Sequence, residues 1–463
     1  MNIKSFKYIY LIGIGGIGMS ALARYFYSQD KIVYGYDRVK SDLTVDLENE
    51  GIEITYADNI NAIPNAFNIN ESSNQLVIYS SAISDNSIYS YFSDNSFNMC
   101  KRAEALGLIS EHYYTIAVAG THGKTTTSIM LAHILKNTNV DCTAFFGGIS
   151  KNYDTNFLLS NDSNYLVVEA DEYDYSFLNL NPNIAIITSL DLDHLDIYEN
   201  HDDLISSFKQ FASQVKDDGC LIIEESIAEY FTSPKNGKLF TYSHSDKSDY
   251  YADCIKQKIN ITNFNFNSNF NTSEECSSKA SVLLSMPGLH NISNALAAIT
   301  ASSYLNIDNN SITNSFKSFD GIKRRFDAHI ISDRHVYIDD YAHHPNEISV
   351  TIETVKKLFP SRIVTVVFQP HLYSRTNDFA KDFAKSLSLA DHLIIMDIYA
   401  AREQPIKGVN SDMLLDLCSN KSKITSTKSS IISLLEEKDL DVLLTLGAGD
   451  ISSLVRPIKE MMK

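Results

Sequence analysis

The chain has 463 residues, of which 44% are hydrophobic and 21% charged, a composition typical of soluble globular proteins with about three domains. Its net charge of −18 disfavours nucleic acid and anionic membranes as main partners, because both require a basic surface. The six cysteines are scattered without a C-x-x-C pair, and no apolar run approaches the roughly 18 residues of a membrane span. We therefore predict a cytoplasmic protein with free thiols and no stable membrane association.

Three successive segments repeat one pattern, in which an apolar strand leads through a glycine or polar turn into a helix. This pattern predicts an α/β protein with parallel sheets. The predicted domains are a Rossmann-like N-terminal domain (1–112), a central P-loop ATPase-type domain (113–319) and a Rossmann-like C-terminal domain (320–463). The Asn- and Ser-rich stretch from about Asp253 to Ser281 alternates apolar and polar residues, which predicts a peripheral antiparallel hairpin set without an assigned function.

The first glycine motif is GIGGIG, which opens the N-terminal segment. Gly13, Gly15 and Gly18 fit G-x-G-x-x-G, and Asp37 stands at the end of the next predicted strand, as in a nicotinamide dehydrogenase. Such a loop only lets backbone N–H groups and a helix N-terminus approach a pyrophosphate, which a UDP-sugar also carries. A purely structural tight turn is the alternative. The motif therefore predicts a diphosphate site without deciding which diphosphate binds.

The second glycine motif is GTHGKTTT, between an apolar strand and an apolar helix. Lys124 offers a charge to β- and γ-phosphates, Thr125 offers a hydroxyl to Mg²⁺, and backbone N–H groups from His122 to Thr126 can surround an anion. A standard P-loop would have glycine where this chain has Val118, so the loop is of a shorter kind. A glycine turn with a threonine-rich N-cap is the alternative.

Acidic and polar residues follow the next two predicted strands, where open α/β sheets place their sites. They are Glu169, Asp171 and Glu172 in VVEADEYD, and Asp191, Asp193 and His194 in TSLDLDHLDIY. Carboxylates suit Mg²⁺, whose shell is mainly oxygen. Solvated acidic loops are the alternative.

Amides and basic residues supply the remaining candidates. Asn291 and Asn294 share one face at a predicted helix start, where either helix capping or contact with a base or ribose would explain them. The third segment concentrates further residues near its strand ends: Arg324, Arg325, Asp340, His343, His344, His371 and Arg375. Arginine suits a transferring phosphoryl group or a substrate carboxylate, whereas any single histidine here has a structural role as its simplest explanation.

In this order, the motifs GIGGIGMSALA, RAEALG, GTHGKTTT, VEADEYD, DHLDIY, HNISNALAA, GIKRRF, DDYAHHPNEI, FQPHLYSRT and GAGD cover nearly the whole chain. The chain thereby resembles the Mur ligases, most closely those that act on L-alanine. The resemblance implies an enzyme of peptidoglycan precursor synthesis that uses ATP and Mg²⁺. It would join L-alanine to the lactyl carboxylate of UDP-N-acetylmuramate through an acyl phosphate, with release of ADP and phosphate.

The resemblance also implies residue roles. The implied ATP contacts are Gly120, Thr121, His122, Gly123, Lys124, Thr125, Thr126, Asn291, Asn294, Arg325 and Asp340. The implied UDP-sugar contacts are Gly13, Gly15, Gly16, Gly18, Asp37, Ser80, Ser81 and Arg102. The implied catalytic residues are Lys124, Glu169, His194, His343, His371 and Arg375. Tyr341, His343 and Arg375 would contact the amino acid, and Thr125, Glu169 and His194 would hold the metal.

Mur ligases differ from one another at two positions of interest, which are Leu372 and Lys209 in this chain. Many relatives carry arginine where this chain has Leu372, which would leave the alanine carboxylate more dependent on Arg375. Some Mur ligases hold a second Mg²⁺ with a carbamylated lysine, and Lys209 has a suitable spacing after His194, but the alanine-adding members do not clearly share that feature.

Three other functions compete with this interpretation. A nicotinamide dehydrogenase would explain the first glycine motif and leave the second unexplained. A non-catalytic nucleotide switch would explain the second motif, although no guanine-reading N-K-x-D follows it. A related ligase that attaches a tripeptide to the sugar nucleotide during wall recycling would use the same chemistry.

Overall fold

The computed structural model describes residues 1–71, 73–81, 83, 86–191, 197–198, 200–244, 248–259, 261–269, 280–401 and 403–463. The chain forms two compact units. The first comprises Met1–Ile255, Phe264–Leu283 and Leu289–Phe319. The second comprises Lys256–Asn263, Leu284–Gly288 and Asp320–Lys463. Among the residues described, no helix is both long and apolar enough to cross a bilayer.

The N-terminal sheet is parallel throughout, as predicted. Its strands are β1 (Tyr8–Ile12), β2 (Ile32–Tyr36), β3 (Glu53–Thr55), β4 (Gln75–Tyr79) and β5 (Met99–Lys101), in the order β3-β2-β1-β4-β5. Its helices are α1 (Ile17–Ser28), α2 (Asp42–Asn49), α3 (Ser87–Asp94) and α4 (Arg102–Ser110). Strand order reverses at β1, and open α/β sheets bind ligands at such a switch point. The GIGGIG loop therefore lies at a favoured binding position of a Rossmann-like sheet.

The second glycine motif directly follows one of the inner strands of the central sheet. Its strands are β6 (Tyr114–Ala119), β7 (Thr143–Ser150), β8 (Thr155–Leu158), β9 (Tyr165–Glu169), β10 (Ile184–Ile187), β11 (Cys220–Glu224), β12 (Lys238–Ser243), β13 (Tyr250–Lys258), β14 (Ile261–Ser268) and β15 (Ala280–Leu284). Its helices are α5 (Lys124–Lys136), α6 (His201–Ser213), α7 (Leu289–Tyr304) and α8 (Asn309–Lys317). The strand order is β15-β14-β13-β12-β11-β10-β6-β9-β7-β8. Strand β6 pairs in parallel with β9 and β10, so the loops that follow these three strands meet at one edge.

The C-terminal sheet belongs to the second unit. Its strands are β16 (Asp327–Ile331), β17 (Val336–Asp340), β18 (Val364–Phe368), β19 (His392–Met396), β20 (Ser422–Ser426) and β21 (Val442–Leu446), in the order β16-β17-β21-β18-β19-β20. Its helices are α9 (Pro345–Leu358), α10 (Tyr373–Asp378), α11 (Ala380–Leu387), α12 (Ser411–Leu417), α13 (Ile431–Glu436) and α14 (Val455–Met461).

Two antiparallel strand pairs were not predicted. Strand β8 pairs antiparallel with β7, and β16 pairs antiparallel with β17. Each pair is joined by a short connection, 151–154 and 332–335 respectively. A parallel pair requires a crossover of a dozen or more residues, so connections this short permit only antiparallel pairing. The Asn-rich stretch forms β13, β14 and β15 at the edge of the central sheet, while residues 270–279 lie outside the described residues.

The N-terminal and central sheets share one hydrophobic core within the first unit. Tyr25 on α1 packs its ring against Phe145 and Phe157 of β7 and β8, at centroid distances of 5.6 and 6.2 Å. Arg24, also on α1, is buried, donates to Glu50 and reaches the amide oxygen of Asn156 on β8. The helix that follows the GIGGIG loop is thereby packed directly onto the ATPase-type domain.

Candidate active site

The GTHGKTTT turn depends on two glycines with positive φ. Gly120 has φ +135° and Gly123 has φ +82°, a region that L side chains rarely adopt. A Cβ atom at Gly120 would lie 2.0 Å from Oγ1 of Thr188, and one at Gly123 would lie 2.4 Å from Oδ1 of Asn294. Gly123 is the N-cap of α5, and it contributes no side-chain cap. The alternative of a threonine-rich N-cap is therefore wrong.

Thr188 and Ser189, which directly follow β10, close this loop. The Ser189 hydroxyl accepts from the His122 backbone N–H at 2.8 Å, and the Ser189 carbonyl accepts from the Thr121 N–H at 3.2 Å. The single O–H of Thr188 faces two carbonyl oxygens, Ala119 O at 3.1 Å and His122 O. Sequence reasoning missed both residues, although a Ser or Thr directly after a strand was a usable signal. The His122 N–H, a predicted anion contact, donates to the Ser189 hydroxyl in this structure.

Lys124 is held by its own loop and by a buried carboxylate. Its Nζ lies 2.6 Å from Gly120 O, 2.9 Å from Oε1 of Glu172 and 2.7 Å from Oε2 of Glu172. Burial by itself would lower the pKa of the Lys124 ammonium, but Glu172, then Glu169 and Asp171, outweigh burial and raise it. The lysine is therefore charged. The interpretation of these acids as solvated loops is wrong for Glu172, which is fully buried.

Thr125 and Glu169 form an oxygen-rich pair beside this lysine. Thr125 Oγ1 donates to Glu169 Oε1 at 3.0 Å, and the backbone N–H of Gly147 on β7 donates to the other carboxylate oxygen at 2.8 Å. Burial raises the pKa of Glu169, although Lys124 and these hydrogen bonds act in the opposite direction. A cation at this position would offset the cost of burying the carboxylate. Gly147 was missed by sequence reasoning, and a side chain there would collide with Glu169.

These oxygens suit a magnesium ion, which prefers carboxylate and hydroxyl donors. Among the residues described, no group of three or more His, Cys, Asp or Glu side chains forms a metal cluster. His194 and Asp193 lie outside the described residues, so the third proposed ligand has no structural account. Lys209 is exposed on α6, with its Nζ 5.7 Å from the centre of the Tyr230 ring.

Asn291 and Asn294 lie within α7, which begins at Leu289. Asn294 accepts from the Thr127 hydroxyl at 3.3 Å and donates to Asn291 Oδ1 at 3.4 Å. Both are buried, and Asn294 also faces Gly123. Neither stands at the first position of the helix, so capping does not explain them. The geometry brings Asn294 directly against the second glycine motif.

One of the chain's own carboxylates, that of Asp37, lies against the GIGGIG loop. Gly13 has φ +85°, and the Gly15 N–H donates to Oδ2 of Asp37 at 2.8 Å. Asp37 directly follows β2 and also accepts from Val39 N at 3.0 Å. In a dinucleotide fold the corresponding acid binds a ribose hydroxyl, whereas here it faces the glycine backbone. This arrangement differs from the one that the dehydrogenase interpretation expects.

Two further predicted UDP-sugar residues, Ser80 and Arg102, lie beside the same loop. Ser80 and Ser81 directly follow β4, and a Cβ at Gly18 would lie 3.0 Å from Cδ of Arg102, the first residue of α4. Arg102 also pairs with Asp171 at 3.0 Å. This ion pair connects the glycine loop of the N-terminal domain to the acidic segment that follows β9.

In the second unit, two arginines that precede β16 lie against the segment that follows β17. The Arg324 and Arg325 guanidinium groups lie 5.4 and 5.1 Å from the ring centre of Tyr341. Glu347, an acid that the sequence analysis did not select, contacts both of its basic neighbours. Its Oε1 lies 3.8 Å from Nη1 of Arg325, and its Oε2 lies 3.3 Å from Nδ1 of His343. These contacts place Arg325, Tyr341 and His343 in one cluster.

Asp340, the last residue of β17, is buried beside that cluster. It accepts from Phe326 N at 3.0 Å and from Ala342 N at 2.9 Å. Burial raises the pKa of Asp340 to about 6, against the lowering effects of Arg325 and the two backbone donors. Arg324 instead pairs with Asp339 at 2.9 Å.

The segment after β18 holds His371 and Arg375 on either side of a strained residue. Leu372 has φ +71° and ψ 138°, which is unfavourable for a side chain with a Cβ. His371 stacks on Tyr399 at a centroid distance of 5.7 Å, and Arg375 lies on α10. Glu403 accepts from Ser374 N at 3.0 Å and also from the Ser374 hydroxyl, and so fixes the start of this helix.

Comparison with known proteins adds three matches along the chain. They are the Mur ligase family catalytic domain (residues 8–114), the Mur ligase middle domain (118–302) and the Mur ligase glutamate ligase domain (324–449). The chain belongs to the Mur ligase family. The predicted family and the three-domain α/β fold are thereby confirmed, and the enzyme is a ligase.

Relatives of this Mur ligase match over the full length. The UDP-N-acetylmuramate–L-alanine ligase of Flavobacterium psychrophilum is 45% identical, with 99% of each chain covered. The solved UDP-N-acetylmuramate-alanine ligase of Thermotoga maritima is 27% identical, covers 98% of both chains and has a TM-score of 0.80. The murein peptide ligase of Psychrobacter arcticus shares the fold at 23% identity, with 98% of both chains covered and a TM-score of 0.72.

Proposed function

We propose that this Mur ligase joins L-alanine to the lactyl carboxylate of UDP-N-acetylmuramate, with conversion of ATP to ADP and phosphate. The observation that carries the use of ATP is the GTHGKTTT turn, whose Lys124 and Thr125 lie against Glu172 and Glu169. The choice of substrates rests on the full-length similarity to ligases of that name. The reaction belongs to peptidoglycan precursor synthesis, and we place it in the cytoplasm.

The first chemical step activates a carboxylate, which is a poor electrophile. A lactyl carboxylate oxygen attacks the γ-phosphorus of ATP, the bond to the β–γ bridging oxygen breaks, and ADP leaves with that electron pair. Lys124 supplies positive charge next to the transferring group, and positioned charge is the main contribution expected in phosphoryl transfer. Thr125 and Glu169, with His194 as the third proposed ligand, would hold Mg²⁺, which neutralises phosphate charge when bound.

The second step forms the amide. The L-alanine amine attacks the acyl carbon, and the tetrahedral intermediate expels phosphate, which carries away the proton that the amine loses. We assign Tyr341, His343 and Arg375 to the amino acid, and His371 to the acyl phosphate. The Tyr341–His343–Glu347 contacts and the ordered start of α10 support that assignment. Asn291, Asn294, Arg325 and Asp340 are proposed nucleotide contacts.

The domain roles follow from the same proposal. Residues 1–112 would bind the UDP-sugar through the GIGGIG loop, Ser80, Ser81 and Arg102. Residues 113–319 would bind ATP, and residues 320–463 would bring the amino acid site and complete the nucleotide site. The Arg102–Asp171 pair supports a connection between the sugar nucleotide loop and the metal-binding segment.

Phosphate release from ATP tests this proposal. The assay contains UDP-N-acetylmuramate and is scanned across L-alanine, glycine, L-serine and the tripeptide of wall recycling. We expect release that requires both the sugar nucleotide and L-alanine. If the tripeptide is the only acceptor that supports release, the protein belongs to recycling. If no acceptor supports release, the ligase proposal is contradicted.

A further inference from the structure

Three acids of the EADEYD segment have different surroundings. Asp171 pairs with Arg102 and Asp174 pairs with Lys101, each at 3.0 Å, and all four side chains are partly exposed to solvent. Glu172 is fully buried and faces Lys124. Its main chain is fixed by the buried Tyr198, whose hydroxyl donates to Glu172 O at 2.6 Å. Glu172 is therefore placed by the fold to meet the lysine.

The Lys124 ammonium has three N–H donors, and the structure gives it partners for all of them. Gly120 O is 2.6 Å away, Thr121 O is 3.4 Å away, and the Glu172 carboxylate is within 2.9 Å. The two carbonyls belong to the same loop and carry only partial charge. Glu172 is the partner with a full negative charge, which a buried ammonium requires.

A nucleotide phosphate would approach the same ammonium. The lysine can donate to a phosphate oxygen only if it releases one of its present partners. The arriving anion disfavours Glu172 most among these partners. Two negative groups that contact the same ammonium repel each other strongly in a poorly hydrated site. The phosphate and the Glu172 carboxylate therefore compete for one cation.

We infer that Glu172 is an internal substitute for the nucleotide phosphate. Its carboxylate keeps the Lys124 ammonium paired and in contact with its own loop until ATP binds. Glu172 acts through Lys124 and is therefore a positioning residue. The inference rests on the proposed binding of ATP at this loop. It also accounts for the buried acid, because an ammonium without an anion would be unstable in the nucleotide-free enzyme.

The test compares Glu172→Gln with Asp174→Asn, a matched loss of one carboxylate from the same segment. Glutamine retains the shape and one acceptor oxygen of Glu172. Asparagine suits position 174, where φ is +55°. Calorimetry measures ADP binding, thermal melts with and without ADP measure stabilisation, and Mn²⁺ titration measures metal affinity.

We expect Glu172→Gln to melt at a lower temperature than wild type without nucleotide and to gain more from ADP. Its Kd for ADP should fall about fivefold or more, the size of a typical coupling between two sites. Its Mn²⁺ affinity should stay unchanged, and Asp174→Asn should match wild type in every measurement. Glu172→Asp, which lengthens the ion pair but keeps the charge, should also bind ADP more tightly than wild type, by a smaller factor.

Unchanged or weaker ADP binding in Glu172→Gln, with normal binding in wild type and Asp174→Asn, would overturn the inference alone. Loss of Mn²⁺ affinity in Glu172→Gln would also overturn it, because Glu172 would then be a metal ligand. If Glu172→Gln does not fold, weaker ADP binding by Glu172→Asp overturns the inference. Absence of ADP binding in wild type would contradict the proposed function itself.

Discussion

A Cβ atom at Gly123 would lie 2.4 Å from Oδ1 of Asn294, a residue on a helix that begins more than 160 residues later in the chain. Asn294 also accepts from the Thr127 hydroxyl. Helix α7 therefore limits the space at the start of α5. The short phosphate loop requires glycine at position 123 for two reasons, its φ of +82° and this close approach.

We predict that Gly123→Ala lowers turnover by about 100-fold or more, because displacement of the loop misplaces Lys124 and Thr125. Gly408→Ala is the matched control. Gly408 has φ +84°, but a Cβ there would meet nothing within 4 Å. Both variants should lose about 1 kcal/mol of stability from the backbone alone. Steady-state kinetics of the two proteins check the prediction, and equal loss of turnover would contradict it.

Lys124→Ala should lower turnover by about 1000-fold or more. Its affinity for UDP-N-acetylmuramate should stay within about threefold of wild type. The reason is that the proposed sugar nucleotide contacts lie in the N-terminal domain. Calorimetry with UDP-N-acetylmuramate measures the affinity. Because the single substitution leaves Glu172 buried without its partner, Lys124→Ala/Glu172→Gln serves as the control for folding. Lost sugar nucleotide affinity in the double variant would contradict the assignment of domains.

Arg24→Ala should lower the free energy of unfolding of the first unit by about 2 kcal/mol, because it removes the donors to Glu50 and Asn156. Arg456→Ala is a control that also removes an arginine from an ion pair. That pair with Glu460 lies on the surface, with 89% of the arginine side chain exposed, and such pairs contribute little. Urea denaturation compares the two variants, and a similar loss in both would refute the structural role of Arg24.

Asp340 should make the stability of the second unit depend on pH. The pKa of its carboxyl group is about 6 in the folded protein, against an ordinary value of 3.8 that applies to the unfolded chain. The folded state therefore binds the proton more tightly. This contribution is complete below about pH 4 and is lost as the pH rises through about 6. The stability of Asp340→Asn minus that of wild type should therefore increase across this window, by at most ~3 kcal/mol. Denaturation at several pH values measures the difference, and parallel curves would show that the pKa is not raised.

The sequence predicted the three α/β domains and both glycine loops because strand, glycine turn and helix are encoded by neighbouring residues. It did not distinguish Glu172 from Asp171 and Asp174, since three acids within four positions look alike until the fold buries one of them. Asp37 shows the same limit. Its spacing is that of a dinucleotide fingerprint, but its carboxylate accepts from Gly15 N.

The missed residues have another cause. Thr188 and Ser189, just after β10, and Gly147 on β7 support the site, and all three lie far from the loop in sequence. Only the strand order brings them to the glycine turn and to Glu169. The antiparallel edge strands were missed because the alternating α/β pattern of the whole segment outweighed two short hairpin connections.

The most direct measurement of the central claim uses UDP-N-acetylmuramate labelled with ¹⁸O in its lactyl carboxylate, incubated with ATP and L-alanine. Mass spectrometry follows both products. We predict a sugar nucleotide heavier by one alanine minus water, together with one ¹⁸O transferred to the released phosphate, because the carboxylate oxygen attacks the γ-phosphorus. An alanine adduct with unlabelled phosphate would contradict the acyl-phosphate route, and absence of the adduct would contradict the assigned function.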